Sequence, residues 1–151
     1  MTQTIKKYLN DSFAARWTAL VLVASMMFFA YMFVDVLSPL STLLESTKGW
    51  TAETYGTFCS SEYFLNVFAF FLIFAGIILD KMGIRFTGIL SGSVMVIGAA
   101  IKLYAVSDWF TADSALYSFL NSFWTSFPPT AKLASVGFMI FGCGVEMAGV
   151  T

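Results

Sequence analysis

Four apolar runs, each as long as a bilayer is thick, leave this chain few ways to fold. They cover about 17–44, 55–79, 86–106 and 131–151, and a helix needs roughly 20 such residues to cross the hydrocarbon core. Lipid offers no hydrogen-bond partners, so a spanning segment must pair its backbone internally and reads as a helix. The expected fold is therefore an all-α membrane protein. A cytoplasmic lead over 1–15 precedes four transmembrane helices at about 17–44, 55–79, 84–106 and 131–151. Composition agrees: charged residues make up 11% of the chain against about 25% in a soluble domain, too few to cover a globule in water. With a net charge of −1 and no basic run, the chain has the lipid bilayer as its expected partner and not nucleic acid.

The second and third runs are joined by Gly76-Ile77-Ile78-Leu79-Asp80-Lys81-Met82-Gly83-Ile84-Arg85-Phe86, a charged hinge that has to turn the chain at one membrane face. Gly76 and Gly83 on either side would let two helices leave the turn close together. Asp80 is expected just ahead of the next helix, where a carboxylate meets free N–H groups and the positive end of the dipole. Lys81 and Arg85 would pin the loop to anionic headgroups.

The pattern G-x-x-x-D-[RK]-x-G-x-R, filled by Gly76, Asp80, Lys81, Gly83 and Arg85, resembles the loop signature between the second and third helices of the major facilitator superfamily. The position after the arginine, usually basic in that family, is Phe86 here. The likeness covers roughly 16–106 and, more loosely, 131–151. There Gly142-Cys143-Gly144-Val145-Glu146 is similar to the fourth helix of the branch that includes lysosomal dipeptide carriers. It implies a secondary active transporter working by alternating access, built from two six-helix halves. This chain would then be an N-terminal fragment, with the remaining helices of the full-length transporter as its partner, and the five loop residues would form a conformational latch.

Along the first run, Arg16 and Trp17 are expected at the inner boundary, and Pro39 should loosen the outer end. A secretory signal is the competing reading, but the run is too long for one and lacks a small-x-small cleavage site near its end. Tyr31, Asp35 and Ser38 share one face; a polar face usually looks inward, while Asp35 could instead reach the outer headgroups. Thr51 is a candidate cap for the second helix, with Glu53 in its first turn. In that helix Tyr55, Cys59, Glu62 and Asn66 form one stripe, and an intramembrane carboxylate such as Glu62 is usually paired or functional. A structural hydrogen bond is the alternative for it.

The third helix offers Gly88, Gly92 and Ala99 near one face for close packing, with Ser91 and Gly98 flanking. Near its outer end Lys102 would snorkel to the headgroups, or pair with Glu62 or Asp35, or meet an anionic substrate group. Residues 107–130 suggest a short interfacial helix at about 113–126, apolar on the Leu116, Phe119, Leu120, Phe123, Trp124, Phe127 side, capped by Asp113 and ended by Pro128-Pro129. In the fourth helix Gly142, Glu146 and Gly149 form a stripe. Glu146 is deep enough to bind a proton or a substrate ammonium, or to serve as a packing glutamate.

The absence of His leaves carboxylates as the groups for proton chemistry. The candidate substrate or proton site is Glu146, Glu62, Asp35, Lys102, Asn66 and Tyr31, with a small-molecule solute as substrate. No nucleophile, phosphate loop or metal constellation suggests an enzyme, and no cofactor is expected; Cys59 and Cys143 read as packing residues. Lys6, Lys7, Arg16, Lys81 and Arg85 fall on one side, Lys48 and Lys132 on the other. That bias puts the N-terminus in the cytoplasm of an integral protein of a bacterial inner membrane. Two rival functions fit four crossings: a complete four-helix exporter of the small multidrug type, and a membrane scaffold subunit, to which intramembrane acids would be of little use.

Overall fold

The computed structural model describes residues 12–151, and these are all-helical with no strand among them. Lys6 and Lys7 lie outside the described residues. Three helical stretches are long and apolar enough to cross a membrane: Phe13–Lys48, Phe71–Val106 and Pro129–Gly149.

Helix α1 (Phe13–Val34) starts ahead of the expected boundary because the Ser12 hydroxyl accepts from the Ala15 N–H at 3.4 Å, which places Arg16 and Trp17 inside the first turns. It is apolar all round and buries only Ala30, as befits a helix surrounded by lipid. Pro39 has no N–H and cannot continue an α-helical ladder. The chain accordingly tightens into a 3₁₀ segment, Asp35–Leu40, before α2 (Ser41–Lys48), so the expected single helix 17–44 is three pieces. Gly49 ends α2 in the left-handed region at φ 69°, where glycine carries no steric cost. That turn drives Trp50 into the core, 1% exposed, with its N–H on the Leu44 carbonyl at 3.3 Å.

Thr51 caps α3 (Ala52–Phe68) by accepting from the Thr54 N–H at 3.2 Å, with Glu53 in the first turn. The expected helix 55–79 does not run through. It ends at Phe68, and Phe70, at φ 49°, takes a left-handed conformation before α4 (Phe71–Val106) begins. No helix breaker occupies positions 66–72, so nothing local announces the interruption. Helix α4 is itself two arms, 71–82 and 84–106, separated by Gly83 at φ 80°, ψ 165°.

Helix α5 (Ala115–Ser122) is shorter than the expected 113–126. Ser114, not Asp113, caps it, by accepting from Tyr117 N–H at 3.2 Å. Its far end is closed by Lys132, whose ammonium donates to the Leu120 carbonyl at 2.6 Å and to that of Phe123; a cation satisfies the free carbonyls and the negative end of a helix. Pro129 does not end α5 but opens α6 (Pro129–Gly149), where its missing N–H is not needed.

Helix α6 is the centre of the bundle. It packs chiefly against α4 and then α3 and buries residues along most of its length. Against α3 it runs parallel in one register: Trp50 Nε1 donates to Thr130 Oγ1 at 2.9 Å, Phe58 stacks on Phe138 at 4.7 Å, and Gly142 lies on Glu62. Each pair is offset by 80 positions. Against the second arm of α4 it runs antiparallel, with Gly137 on Lys102 and Gly144 on Met95 and Ser91. Helix α1 runs the other way from α6, since Met27 lies near Gly149 and Phe33 near Lys102. The segments α1, α3, 84–106 and α6 therefore alternate in direction.

The packing face of 84–106 is Ser91, Met95, Gly98, Lys102 and Ala105. It is not the expected face of Gly88, Gly92 and Ala99: Gly88 and Gly92 have no neighbour within 4 Å of a built Cβ. Buried Thr87 and Ser91 return their hydroxyls to the Gly83 and Gly88 carbonyls at 3.0 and 2.9 Å, which removes the cost of an unpaired hydroxyl in an apolar interior.

Across one end of the bundle, Lys48 donates to Asp108 at 2.9 Å. The cation beside it holds the fully exposed Asp108 carboxyl below the usual aspartate range. A carboxyl with a depressed value supports the fold above its ordinary pKa of about 3.9, and that support disappears as the pH falls through the lower folded value. Asp108→Asn is expected to lower the melting temperature slightly at pH 7, with the gap from the unsubstituted chain closing on acidification below about pH 3.9 and narrowing in high salt. A gap that widens in acid would contradict this pairing.

Candidate functional site

Glu62 is the focus of the candidate residues. It lies in the middle of α3, 5% exposed, and faces α6 at Gly142, where an added methyl group would stand 3.0 Å from its Cγ. Glycine at 142 is thus what lets α6 pass over the glutamate. Extended by one helical turn, the same 80-position offset pairs position 66 of α3 with position 146 of α6. Asn66 donates to the Glu62 carbonyl at 3.4 Å, while its own Oδ1 is buried with no hydrogen-bond partner. Glu146 is half-buried. Glu62, Asn66 and Glu146 therefore line one seam, and Tyr63 borders the Glu62 carboxylate.

Lys102 does not snorkel. It is 3% exposed, donates to the Phe33 carbonyl at 2.6 Å, and sits over the rings of Phe138 and Phe141 at 4.5 and 5.1 Å. The carbonyl belongs to the last turn of α1, whose terminal acceptors lack partners within the helix, and two ring faces complete the cation's surroundings. Lys102 makes no ion pair with Glu62 or Asp35; Lys48–Asp108 is the ion pair among the described residues. Lys102, Glu146 and Asp35 are nonetheless the charged groups close enough to act on Glu62.

The polar face of α1 lies at the surface. Tyr31 is 59% exposed, and Asp35 and Ser38 are exposed too. The latch residues are apart from this site. Asp80, Lys81, Gly83 and Arg85 are exposed, and Gly76 is half-buried with nothing within 4 Å of an added methyl. Asp80 is not a helix cap, since it falls inside the 71–82 arm and the break comes three residues later, at Gly83. Gly83 makes the break between the two arms of α4, and Gly76 lies inside the first arm with a helical backbone.

Sequence reasoning missed Trp50, Thr130 and the capping role of Lys132. A tryptophan directly after Lys48-Gly49 was the available signal for the first, because the residue following a left-handed glycine cap commonly packs back on the helix. A cleft of about 390 Å³ between α1 and the second arm of α4, lined by Met26, Phe29, Phe33, Met95, Val96 and Phe141 among others, is apolar and separate from the acids. Among the described residues no group of His, Cys, Asp and Glu could hold a metal ion.

These features define an all-helical integral membrane protein with buried charge at the centre of its helix packing. Comparison with protein-family models, curated proteins and solved structures finds no significant match.

Proposed function

We propose that the chain is the first four helices of a secondary active transporter of the major facilitator type, moving a small solute by alternating access. The observation that carries the proposal is the coincidence of the G-x-x-x-D-K-x-G-x-R sequence with a glycine-only backbone break, Gly83 at φ 80°, ψ 165°, at the start of the segment that packs antiparallel on α6. The alternating directions of α1, α3, 84–106 and α6 support four crossings. That topology puts Arg16, Lys81 and Arg85 at one end and Lys48 and Lys132 at the other, which suits a cytoplasmic N-terminus.

In this reading Glu62, Glu146 and Asn66 lie beside the transport route, and the exposed face of Tyr31 and Asp35 looks into it. Lys102 fastens α1 to the second arm of α4, and a proton is the candidate coupling ion. The loop of Asp80, Lys81 and Arg85 latches one access state against the remaining helices. Buried intramembrane acids favour transport over a scaffold, for which their desolvation cost has no return. In the full-length parent, Glu62→Gln and Glu146→Gln are each expected to lower pH-driven uptake at least tenfold while leaving membrane insertion intact. Unchanged uptake and unchanged pH dependence in both variants would remove them from the mechanism.

A further inference from the structure

Two helix faces stand opposite one another in this bundle without meeting. The cleft of about 390 Å³ beside α1 is lined on that helix by Met26, Phe29, Ala30 and Phe33. On the second arm of α4 its lining is Gly92, Met95, Val96 and Ala99. Both sets follow the i, i+3, i+4, i+7 spacing of a single helix face, the spacing by which packed helices interlock. The two helices point the same way, so the sets also follow in the same order. Phenylalanines on α1 look across at glycine and alanine on the arm, and Gly92 has nothing within 4 Å of an added methyl. Faces suited to close packing are thus left apart.

Lys102 spans the gap at the Phe33 end. Its backbone belongs to the arm and its ammonium donates to the backbone carbonyl of Phe33 on α1 at 2.6 Å, so the whole lysine stem lies between the two chains. The rings of Phe138 and Phe141, 4.5 and 5.1 Å from the ammonium, hold it in place. A bond from a charged donor and two ring faces make a firm strut. The rest of α1 is lightly held: Ala30 is its one buried residue, and what it brings near Gly149 is the flexible tip of Met27. Just past Phe33 the helix gives way to the 3₁₀ segment Asp35–Leu40, with Pro39 inside it. A short 3₁₀ stretch within a longer helical run often marks a hinge.

We propose that α1 is a hinged helix that closes this cleft, turning at Asp35–Leu40 so that its Met26–Phe33 face packs on the Gly92–Ala99 face, with Lys102 as the strut that holds it open. Closing restores dispersion contacts that the gap forfeits and gives up the Lys102 bond to Phe33, so the two states oppose one another. The motion lies within the four helices and is separate from the rocking of one bundle against another.

Disulfide trapping in lipid nanodiscs tests the closure, in a chain whose Cys59 and Cys143 are replaced by alanine. One cysteine pair, Phe29→Cys with Val96→Cys, faces across the cleft. A second pair, Phe28→Cys with Ile97→Cys, occupies exposed positions outside the cleft lining. Lys102→Ala should speed copper-catalysed disulfide formation at the facing pair at least tenfold, with helicity by circular dichroism unchanged and the second pair altered less than threefold. Lys102→Arg, which keeps a charged donor of similar reach, should stay within threefold of the parent. Pro39→Ala restores an N–H at the hinge and lets the α-helical ladder continue, so with Lys102 in place it should slow the facing pair at least fivefold. An unchanged facing-pair rate in a folded Lys102→Ala chain, or an equal rise in both pairs, would overturn the proposal. So would an undiminished rate in Pro39→Ala, which needs no change at Lys102.

Discussion

Gly98→Val is expected to unfasten the bundle, with the largest stability loss of any single substitution considered. Gly98 is where the second arm of α4 and α6 cross most closely: even a single added methyl would stand 2.7 Å from the Gly137 carbonyl oxygen and 2.7 Å from Phe141 Cα. Both obstacles are backbone, which cannot rotate away as a side chain can. The helices must separate, and with them move Ser91, Met95, Lys102 and Ala105, which share that face. Lipid supplies no hydrophobic force to press the helices back together, so close packing is most of what holds them. Overpacking of this kind costs about 1–3 kcal/mol in soluble cores and occasionally more; the upper end is expected here. Gly88→Ala is the matched control, on the same arm with open space around it, and should be neutral or slightly stabilising, since alanine is favoured over glycine in a helix by about 1 kcal/mol. Thermal unfolding in detergent, followed by the fluorescence of buried Trp50, separates the two. Equal melting temperatures would show that the α4/α6 contact is looser than described.

Gly83→Ala is the second substitution with a large expected effect, and it acts through the backbone alone. No neighbour lies within 4 Å of an added methyl at Gly83, but its φ of 80° and ψ of 165° fall in a region that is essentially closed to residues with a side chain. Holding one there costs about 1–3 kcal/mol. The chain would relieve that strain by extending the helix through position 83, which would re-aim the 71–82 arm relative to 84–106. Gly76→Ala, seven residues earlier with an ordinary helical backbone and equally open space, should cost nothing. Trypsin cleavage at Lys81 and Arg85 in native membranes, together with melting temperature, reports the difference. A Gly83→Ala chain as stable as the parent, with the same cleavage pattern, would mean that the break in α4 does not depend on this glycine.

The sequence made the all-helical membrane class plain, because runs of roughly 20 apolar residues admit few other structures. Thr51 as a cap and Pro39 as the point where the first helix loosens were readable for local reasons: a hydroxyl at a helix start, and a missing N–H. What could not be read depends on which residues meet across helices. The small residues on 84–106 suggest packing on two neighbouring faces, and nothing local chooses the Ser91, Gly98 face over the Gly88, Gly92 face. The interruption at Phe70 has no composition signal at all. Glu62 and Glu146 were readable as candidates because an acid inside an apolar run is costly. Their common seam with Asn66 follows only from the constant offset between α3 and α6. Lys102 is not legible from its place in the sequence: a lysine near the end of a membrane helix can reach the headgroups, but here the end of α1 and two phenylalanines enclose it.

The central claim, a chain that passes back and forth with its charged glycine turn on the same side as its N-terminus, is tested by side-specific thiol labelling. Single cysteines at Arg16, Lys81 and Asp108, in a chain whose Cys59 and Cys143 are replaced by alanine, would be probed with an impermeant maleimide in right-side-out vesicles. Positions 16 and 81 should label only after the vesicles are opened, and position 108 should label from outside. Labelling of 81 from the outer face, or of 81 and 108 from one face together, would contradict the account.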